Sequence, residues 1–225
     1  MDSHDLKFYD QLLQFRLFQG MSRSELLQMA GNTRFGFQKL AAGKWVVREG
    51  DACQQLLFLV GGTLSLSTRS DDHSYTYVEE LSAPWLLQPE ALFGLSPRYS
   101  CDVRTLSDCH FFTLSKDEVL RLLDDFLIFR LNLLNAFATN AQRVWHKQWL
   151  RSPQTLEQRI VRFFTDHAVY PAGRKEVHIL MKQLAIELAD TRLNVSRVLN
   201  QLQDRQLLEL RRGSIHIPSL ERLLM

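Results

Sequence analysis

Between Gln183 and Gln203, apolar residues recur at helical spacing in two blocks that meet at Ala189 and Asp190. In the second block Val195, Val198, Leu199 and Leu202 line one helix face, while Leu193, Ser196, Arg197 and Asn200 line the other, with Arg192 at its shoulder. Thr191 stands just ahead of that block, where a hydroxyl can cap the free N–H groups of a helix start. The pattern then changes period. Leu207 to Ile217 alternates and turns at Arg212-Gly213, which is a hairpin signal. Gln183 to Ile217 is thus expected to form a helix-turn-helix followed by a two-stranded wing. The helical spacing alone also fits a packed helical hairpin with solvated arginines; the hairpin that follows favours the winged arrangement.

Upstream the periodicity is of a different kind. From Phe35 to Ser70 short alternating or apolar runs are broken at Gly43, Gly50-Asp51 and Gly61-Gly62, and further strand-like runs follow at Tyr75–Leu81, Arg104–Leu106 and His110–Leu114. This spacing predicts a β-roll of jelly-roll type. Ser115 can cap a short helix with an acidic first turn, and a longer helix is expected from about Phe126 to Leu150. On it, Leu127, Leu131, Leu134, Ala138, Ala141 and Trp145 recur at spacings of four and three, the seam of a two-stranded coiled coil. Phe126, Leu133, Phe137 and Val144 form a second stripe. One stripe can pack on the chain's own β-roll while the other meets a second copy, although a core helix buried on two sides has the same pattern. Arg151-Ser152-Pro153 reads as a hinge, and Thr155–Val169 as the next helix. The expected fold class is α+β: a β-roll domain over residues 1–115, a linker and a long helix with a candidate dimerisation seam over 116–150, and a winged helix-turn-helix over 151–225.

Composition sharpens this only modestly. The net charge is +2, but residues 151–225 carry 12 Lys and Arg against 8 Asp and Glu, while residues 1–150 carry 15 against 17. The basic surplus lies with the expected nucleic-acid reader. The acidic, polar start of the chain is unlike a signal peptide, and the apolar stretch Phe126–Ala141 is too short and polar to span a bilayer. Cys53, Cys101 and Cys109 are scattered without paired ligand spacing, and are expected as reduced core thiols in a cytoplasmic protein. No metal site or cofactor is expected, and no nucleophile-base pair points to an enzyme.

The run LAIELADTRLNVSRVLNQLQD, Leu184 to Asp204, resembles the recognition segment of the Crp-Fnr family of bacterial transcription regulators. That family's signature is a leucine-alanine helix, a short turn, and a serine-arginine-x-x-valine-x-arginine helix. Here Thr191 stands where serine is usual, Ala189 replaces the turn glycine, and Leu193 replaces a common glutamate. The resemblance implies a homodimer bound to double-stranded DNA, with half-sites about 34 Å apart in an approximate inverted repeat. Arg192 and Arg197 are the candidates for base edges, above all guanine, and Leu193 for a thymine methyl. Thr191, Asn194 and Ser196 are assigned to phosphates or neighbouring bases, and Arg211 and Arg212 at the wing to phosphates.

In the first half the resemblance implies a cyclic-nucleotide-binding-like sensor. Members that bind a cyclic nucleotide grip it with a glycine-glutamate pair and an arginine-serine pair. Glu90 and Ser100 match the glutamate and the serine, but Pro89 takes the place of the glycine and Tyr99 that of the arginine, with Arg98 one residue earlier. Proline removes a backbone donor and tyrosine removes the charge-assisted fork, so control by cyclic AMP is not expected. Glu90, Arg98, Tyr99 and Ser100 remain the candidate pocket for an effector of unknown identity. RNA polymerase is a further partner that the resemblance implies. The alternative reading is a small-molecule sensor whose helix-turn-helix serves protein contacts.

Overall fold

A computed structural model describes residues 3–147 and 149–224, with side chains from Phe8 onward. In chain order the elements are α1 (Ser3–Leu13), α2 (Arg23–Asn32), β1 (Gly36–Leu40), β2 (Trp45–Val47), β3 (Gln55–Gly61), β4 (Thr63–Arg69), β5 (Tyr75–Ser82), β6 (Trp85–Leu87), β7 (Asp102–Thr105) and β8 (Cys109–Ser115). They continue as α3 (Lys116–Asp125), α4 (Leu127–Lys147), α5 (Leu156–His167), β9 (Lys175–Ile179), α6 (Met181–Glu187), α7 (Arg192–Asp204), β10 (Glu209–Arg211) and β11 (Ser214–Ile217). The architecture is α+β, as the periodicities predict: a β-rich first part, a long helix, and a winged helix-turn-helix. The chain forms two compact units. One holds the residues up to Leu64 together with Ser82–Ser100 and Arg104–Leu150; the other holds Ser65–Leu81, Cys101–Val103 and the chain from Arg151 on.

The first unit is centred on an antiparallel sheet of order β1-β8-β3-β6. Leu56, Leu57, Phe58 and Leu59 of β3 are all buried, so this strand is covered on both faces and reads as a continuous apolar run. Phe58 lies opposite Phe112 in the β3-β8 register, and their rings stack at 4.3 Å. Phe18 packs on Phe58, and Phe129 of α4 packs on Phe18 at 5.6 Å, which ties the start of the long helix to the sheet core. At the β3-β4 corner Gly62 has φ +100°, and a Cβ there would lie 2.5 Å from the Asp108 carbonyl oxygen. Only glycine meets both demands. The Ser115 hydroxyl accepts the Glu118 N–H as the cap of α3, and Phe126, in an extended conformation, separates α3 from α4.

The second unit gathers the β4-β5 hairpin and the C-terminal elements into one sheet, with strand order β10-β11-β9-β5-β4 continuing to β7. β5 pairs antiparallel with β9, placing Tyr77 opposite Val177 and Glu79 opposite Lys175. Tyr77, Glu79 and Leu81 alternate inward along β5, and the Tyr77 hydroxyl donates to the Phe164 carbonyl at 2.7 Å. Tyr77, Phe164, Val177, Leu184, Leu199 and Ile217 belong to one buried cluster beneath the helix-turn-helix.

An ion pair is buried in this unit. Glu79 is 1% and Lys175 0% exposed, with Nζ 3.7 Å from Oε1, in ion-pair range but too long for a hydrogen bond. The Glu79 carboxylate accepts the Val169 N–H at 2.8 Å and the Tyr170 N–H at 3.4 Å, whereas the Lys175 ammonium has no hydrogen-bond partner among the described residues. Burial pushes the Glu79 carboxyl above its ordinary range, opposed chiefly by Lys175, and pushes Lys175 below its own, opposed by Glu79.

Several boundaries differ from the sequence reading, among them those of the helix expected at Thr155–Val169, which is Leu156–His167 with Thr155 as its cap. The strand expected at Arg104–Leu106 is Asp102–Thr105, because the Leu106 N–H turns back to the Thr63 carbonyl. The long helix, expected from about Phe126 to Leu150, is described over Leu127–Lys147, and these 21 residues are about 31 Å long.

Candidate nucleic-acid interface

The helix-turn-helix is built from α6, a turn through Ala189 and Asp190, and α7. Leu184, Ala185 and Leu188 bury one side of the motif, and Val195, Val198, Leu199 and Leu202 bury the back of α7, the four residues that its periodicity selects. Thr191 caps α7, its hydroxyl accepting the Asn194 N–H at 3.2 Å. The turn itself is unusual. Ala189 has φ +49°, in the left-handed region, which costs an L-residue about 1–2 kcal/mol.

What supports that turn is Arg159 on α5. Its Nη1 donates to the Leu188 carbonyl at 2.6 Å and reaches the Ala189 carbonyl at 3.4 Å, while its Nη2 pairs with Asp190 Oδ2 at 2.6 Å. Asp190 Oδ1 accepts the Thr191 N–H at 2.8 Å and the Asn194 side-chain amide at 2.9 Å. These contacts, the Asn194 amide first, then the Thr191 N–H, with Arg159 adding to them, hold the Asp190 carboxyl below the usual carboxylate range.

The opposite face of α7 is open. Thr191, Arg192 and Arg197 are exposed, and Leu193 is 80% exposed, an apolar side chain fully presented outward. Arg192 has no hydrogen bond or ion pair among the described residues, and Arg197 reaches the Asn194 side-chain oxygen at 3.4 Å. Ser196 and Asn194 are half-buried, so Asn194 faces the turn with its amide and Arg197 with its oxygen. Beside Arg192 lies an open groove of ≈ 640 Å³ lined by Lys182, Ile186, Ala189, Asp190 and Thr191 as well. In the wing, β10 and β11 pair around Gly213 at φ +78°. Arg211 forms an ion pair with Glu209 at 3.0 Å, and Arg212 at the tip is exposed with no partner among the described residues.

Lys182, Ile186 and Arg159 do not stand out in the sequence. Lys182 and Ile186 enter only because α6 runs alongside the start of α7. Arg159 sits on the preceding helix, and nothing in one dimension links it to Asp190.

The candidate effector residues are spread over one stretch of the first unit. Pro89–Leu92 forms a 3-10 turn that carries Glu90 at the surface, and Gln88 before it takes φ +33°. Tyr99 is 4% exposed and its hydroxyl points to the Gln55 carbonyl at 3.4 Å. Arg98 is exposed and donates to the Gly50 carbonyl at 2.7 Å, while the Ser100 hydroxyl accepts from the Gln88 amide at 2.6 Å. Tyr99 therefore points inward while its neighbours Arg98 and Ser100 are exposed.

On α4, Leu127, Leu131, Leu134, Ala138, Ala141 and Trp145 are all exposed, and Phe129 and Leu133 supply the buried face. The three cysteines are buried. Among the described residues no group of His, Cys, Asp and Glu could hold a metal ion, and no helix is long and apolar enough to cross a membrane.

Comparison with known proteins agrees with both halves of this arrangement. Residues 37–126 match the cyclic nucleotide-binding domain family and residues 158–225 match the Crp-like helix-turn-helix domain family. No curated protein matches the chain. Among solved structures, the catabolite activator protein of Thermus thermophilus is 19% identical, covering 93% of this chain and 97% of its own, with a TM-score of 0.53. The sensor domain of the transcriptional regulator DNR from Pseudomonas aeruginosa is 17% identical, covering 68% of this chain and 99% of its own, with a TM-score of 0.54. At these identities the likeness is one of fold.

Proposed function

The chain belongs to the Crp-Fnr family of DNA-binding transcription regulators, and from that premise we propose that it works in the cytoplasm as a homodimer that reads an inverted repeat and is not controlled by cyclic AMP. The observation that carries the proposal is the division of α7 into a fully buried back and an open front, whose first two turns present Arg192, Leu193 and Arg197. Donors at the N-terminal end of a recognition helix are those that meet base edges in the major groove. Arg192 and Arg197 take guanine by its two acceptors, Leu193 packs on a thymine methyl, Thr191, Asn194 and Ser196 serve phosphates or adjacent bases, and Arg211 and Arg212 of the wing serve phosphates.

The exposed stripe from Leu127 to Trp145 supports the dimer, since six apolar positions on one helix face otherwise stand in water. In this reading residues 1–115 sense, 116–150 link and dimerise, and 151–225 bind DNA. Tyr99, turned inward where a nucleotide-binding relative has arginine, supports independence from cyclic AMP. A different small-molecule effector and contact with RNA polymerase belong to the same proposal.

Arg192→Ala tests the base-contact assignment. It should weaken operator binding by about 1–3 kcal/mol and relax preference at one position in each half-site. Unchanged affinity with unchanged preference would remove Arg192 from the interface.

A further inference from the structure

Arg159 and Asp190 form a support that the exposed face of α7 does not itself explain. Arg159 is rooted on α5, and its guanidinium meets three acceptors on the turn: the Leu188 carbonyl at 2.6 Å, the Ala189 carbonyl at 3.4 Å and Asp190 Oδ2 at 2.6 Å. The two carbonyls lie where α6 ends and its last acceptors have no helical partner. Asp190 passes the constraint on. Its second oxygen receives the Thr191 N–H at 2.8 Å and the Asn194 amide at 2.9 Å, and Asn194 Oδ1 receives Arg197 Nη2 at 3.4 Å. A continuous chain of polar contacts thus runs from the scaffold helix to one of the two guanidinium groups on the open face.

The turn needs such a support because it lacks glycine. Ala189 is held at φ +49°, and a strained position of this kind persists only where its surroundings fix it. A planar guanidinium can reach carbonyls and a carboxylate at once, whereas an ammonium offers a single point of charge.

We propose that Arg159 and Asp190 are positioning residues for DNA reading: they fix the turn and the first turn of α7, and through Asn194 they aim Arg197 at its base. The inference rests on α7 being the reading helix. It assigns Asn194 a second role besides the phosphate or base contact given to it above.

The test uses the full-length protein, a duplex carrying its selected operator and a scrambled duplex of equal length. Arg159→Lys and Asp190→Asn are the informative variants, because each keeps the size of the side chain while removing the fork or the charge. Each should lower the ratio of operator to scrambled binding by about tenfold, as loss of one good base contact does, and the relaxed preference should fall at the base pair that Arg197→Ala also relaxes. The slope of log affinity against log salt should stay that of the wild type, since phosphate contacts are retained. The double variant should lose no more than the worse single one.

A ratio equal to wild type in both single variants overturns the proposal, as does a parallel loss on both duplexes with a lowered unfolding midpoint, which is the mark of a purely structural contact. If the wild-type protein itself selects no sequence, α7 is not a reader and the proposal falls with that assignment. Wild-type selection with unaltered variants removes only the positioning role.

Discussion

Replacing Lys175 by Met leaves Glu79 as a carboxylate in the interior of the second unit with no cation beside it. Both side chains are essentially inaccessible, at 1% and 0%, and are 3.7 Å apart. Breaking a buried pair by removing one partner costs about 3–5 kcal/mol, because the remaining charge keeps its desolvation penalty and loses its compensation. The Val169 and Tyr170 N–H groups still donate to Glu79, which favours the lower half of that range. Adding Glu79→Gln removes the orphaned charge while keeping an oxygen for those donors, so the double variant should regain about half of the loss. The assay is urea denaturation, with hydrogen exchange read over Tyr75–Ser82 and Lys175–Ile179, the two strands that the pair joins.

The pH dependence carries a sign that can be checked. Burial already raises the Glu79 carboxyl above its ordinary value, and Lys175 is the main influence opposing that rise, so the variant raises it further. A group with a raised folded value contributes stability that is present below its unfolded value and is lost as pH rises through the folded one. Burial lowers Lys175, opposed by Glu79 and by Glu221, and a lowered lysine makes the wild type gain stability as pH rises toward the ordinary lysine value. Both effects widen the deficit of Lys175→Met at higher pH and narrow it as pH falls toward the ordinary carboxylate range. A deficit below about 1 kcal/mol, or one that is the same at pH about 5 and about 8, would refute the reasoning.

Other consequences are as direct. Ala189→Gly should raise stability by up to about 1 kcal/mol, the left-handed penalty of about 1–2 kcal/mol less the extra chain entropy of glycine, read from the urea midpoint; destabilisation would show that the turn is not strained. Thr191→Ala removes the cap of α7 and should cost about 1 kcal/mol by the same assay, while an unchanged midpoint would deny the cap any energetic role. Leu131→Asp with Leu134→Asp places two carboxylates on the exposed stripe of α4 and should shift the sedimentation coefficient from dimer to monomer; a dimer that persists would place the interface elsewhere. Cyclic AMP at about 1 mM should leave the unfolding midpoint unmoved, whereas a ligand at a hundred times its Kd would add about 2.7 kcal/mol.

What could be read in the sequence was what local periodicity and local chemistry decide. The four apolar positions of α7 are buried, Thr191 is the cap, and the wing turns at Arg212-Gly213 because these features depend on neighbours within a turn or a hairpin. Long-range partners were out of reach. The alternation of β5 shows that Tyr77 and Glu79 share a face, but it cannot show that β9 lies beside it or that Lys175 is buried there with Glu79. Two charged residues in strands read as solvent-facing until their pairing is known.

The long helix teaches the same lesson differently. Of its expected inward stripe, Phe126 and Leu133 are buried and Val144 is exposed, while Phe129, which belonged to neither stripe, is fully buried. Among the described residues none from Ala138 to Lys147 is buried, so the helix has a core of its own chain along its first half only. Periodicity gives the faces of a helix and not the length over which each is covered. At the interface, Arg192, Leu193 and Arg197 could be named from their face alone, but the support from Arg159 spans 31 residues to Asp190 and needed the fold.

The central claim, that α7 reads DNA as one half of a symmetric pair, is tested most directly by selecting bound duplexes from random sequence with the full-length protein. The account predicts enrichment of an inverted repeat whose half-sites are about 34 Å apart, with a guanine in each half-site whose enrichment is lost in Arg192→Ala. Enrichment of no sequence, or of sequences without two-fold symmetry that Arg192→Ala selects equally well, would contradict it.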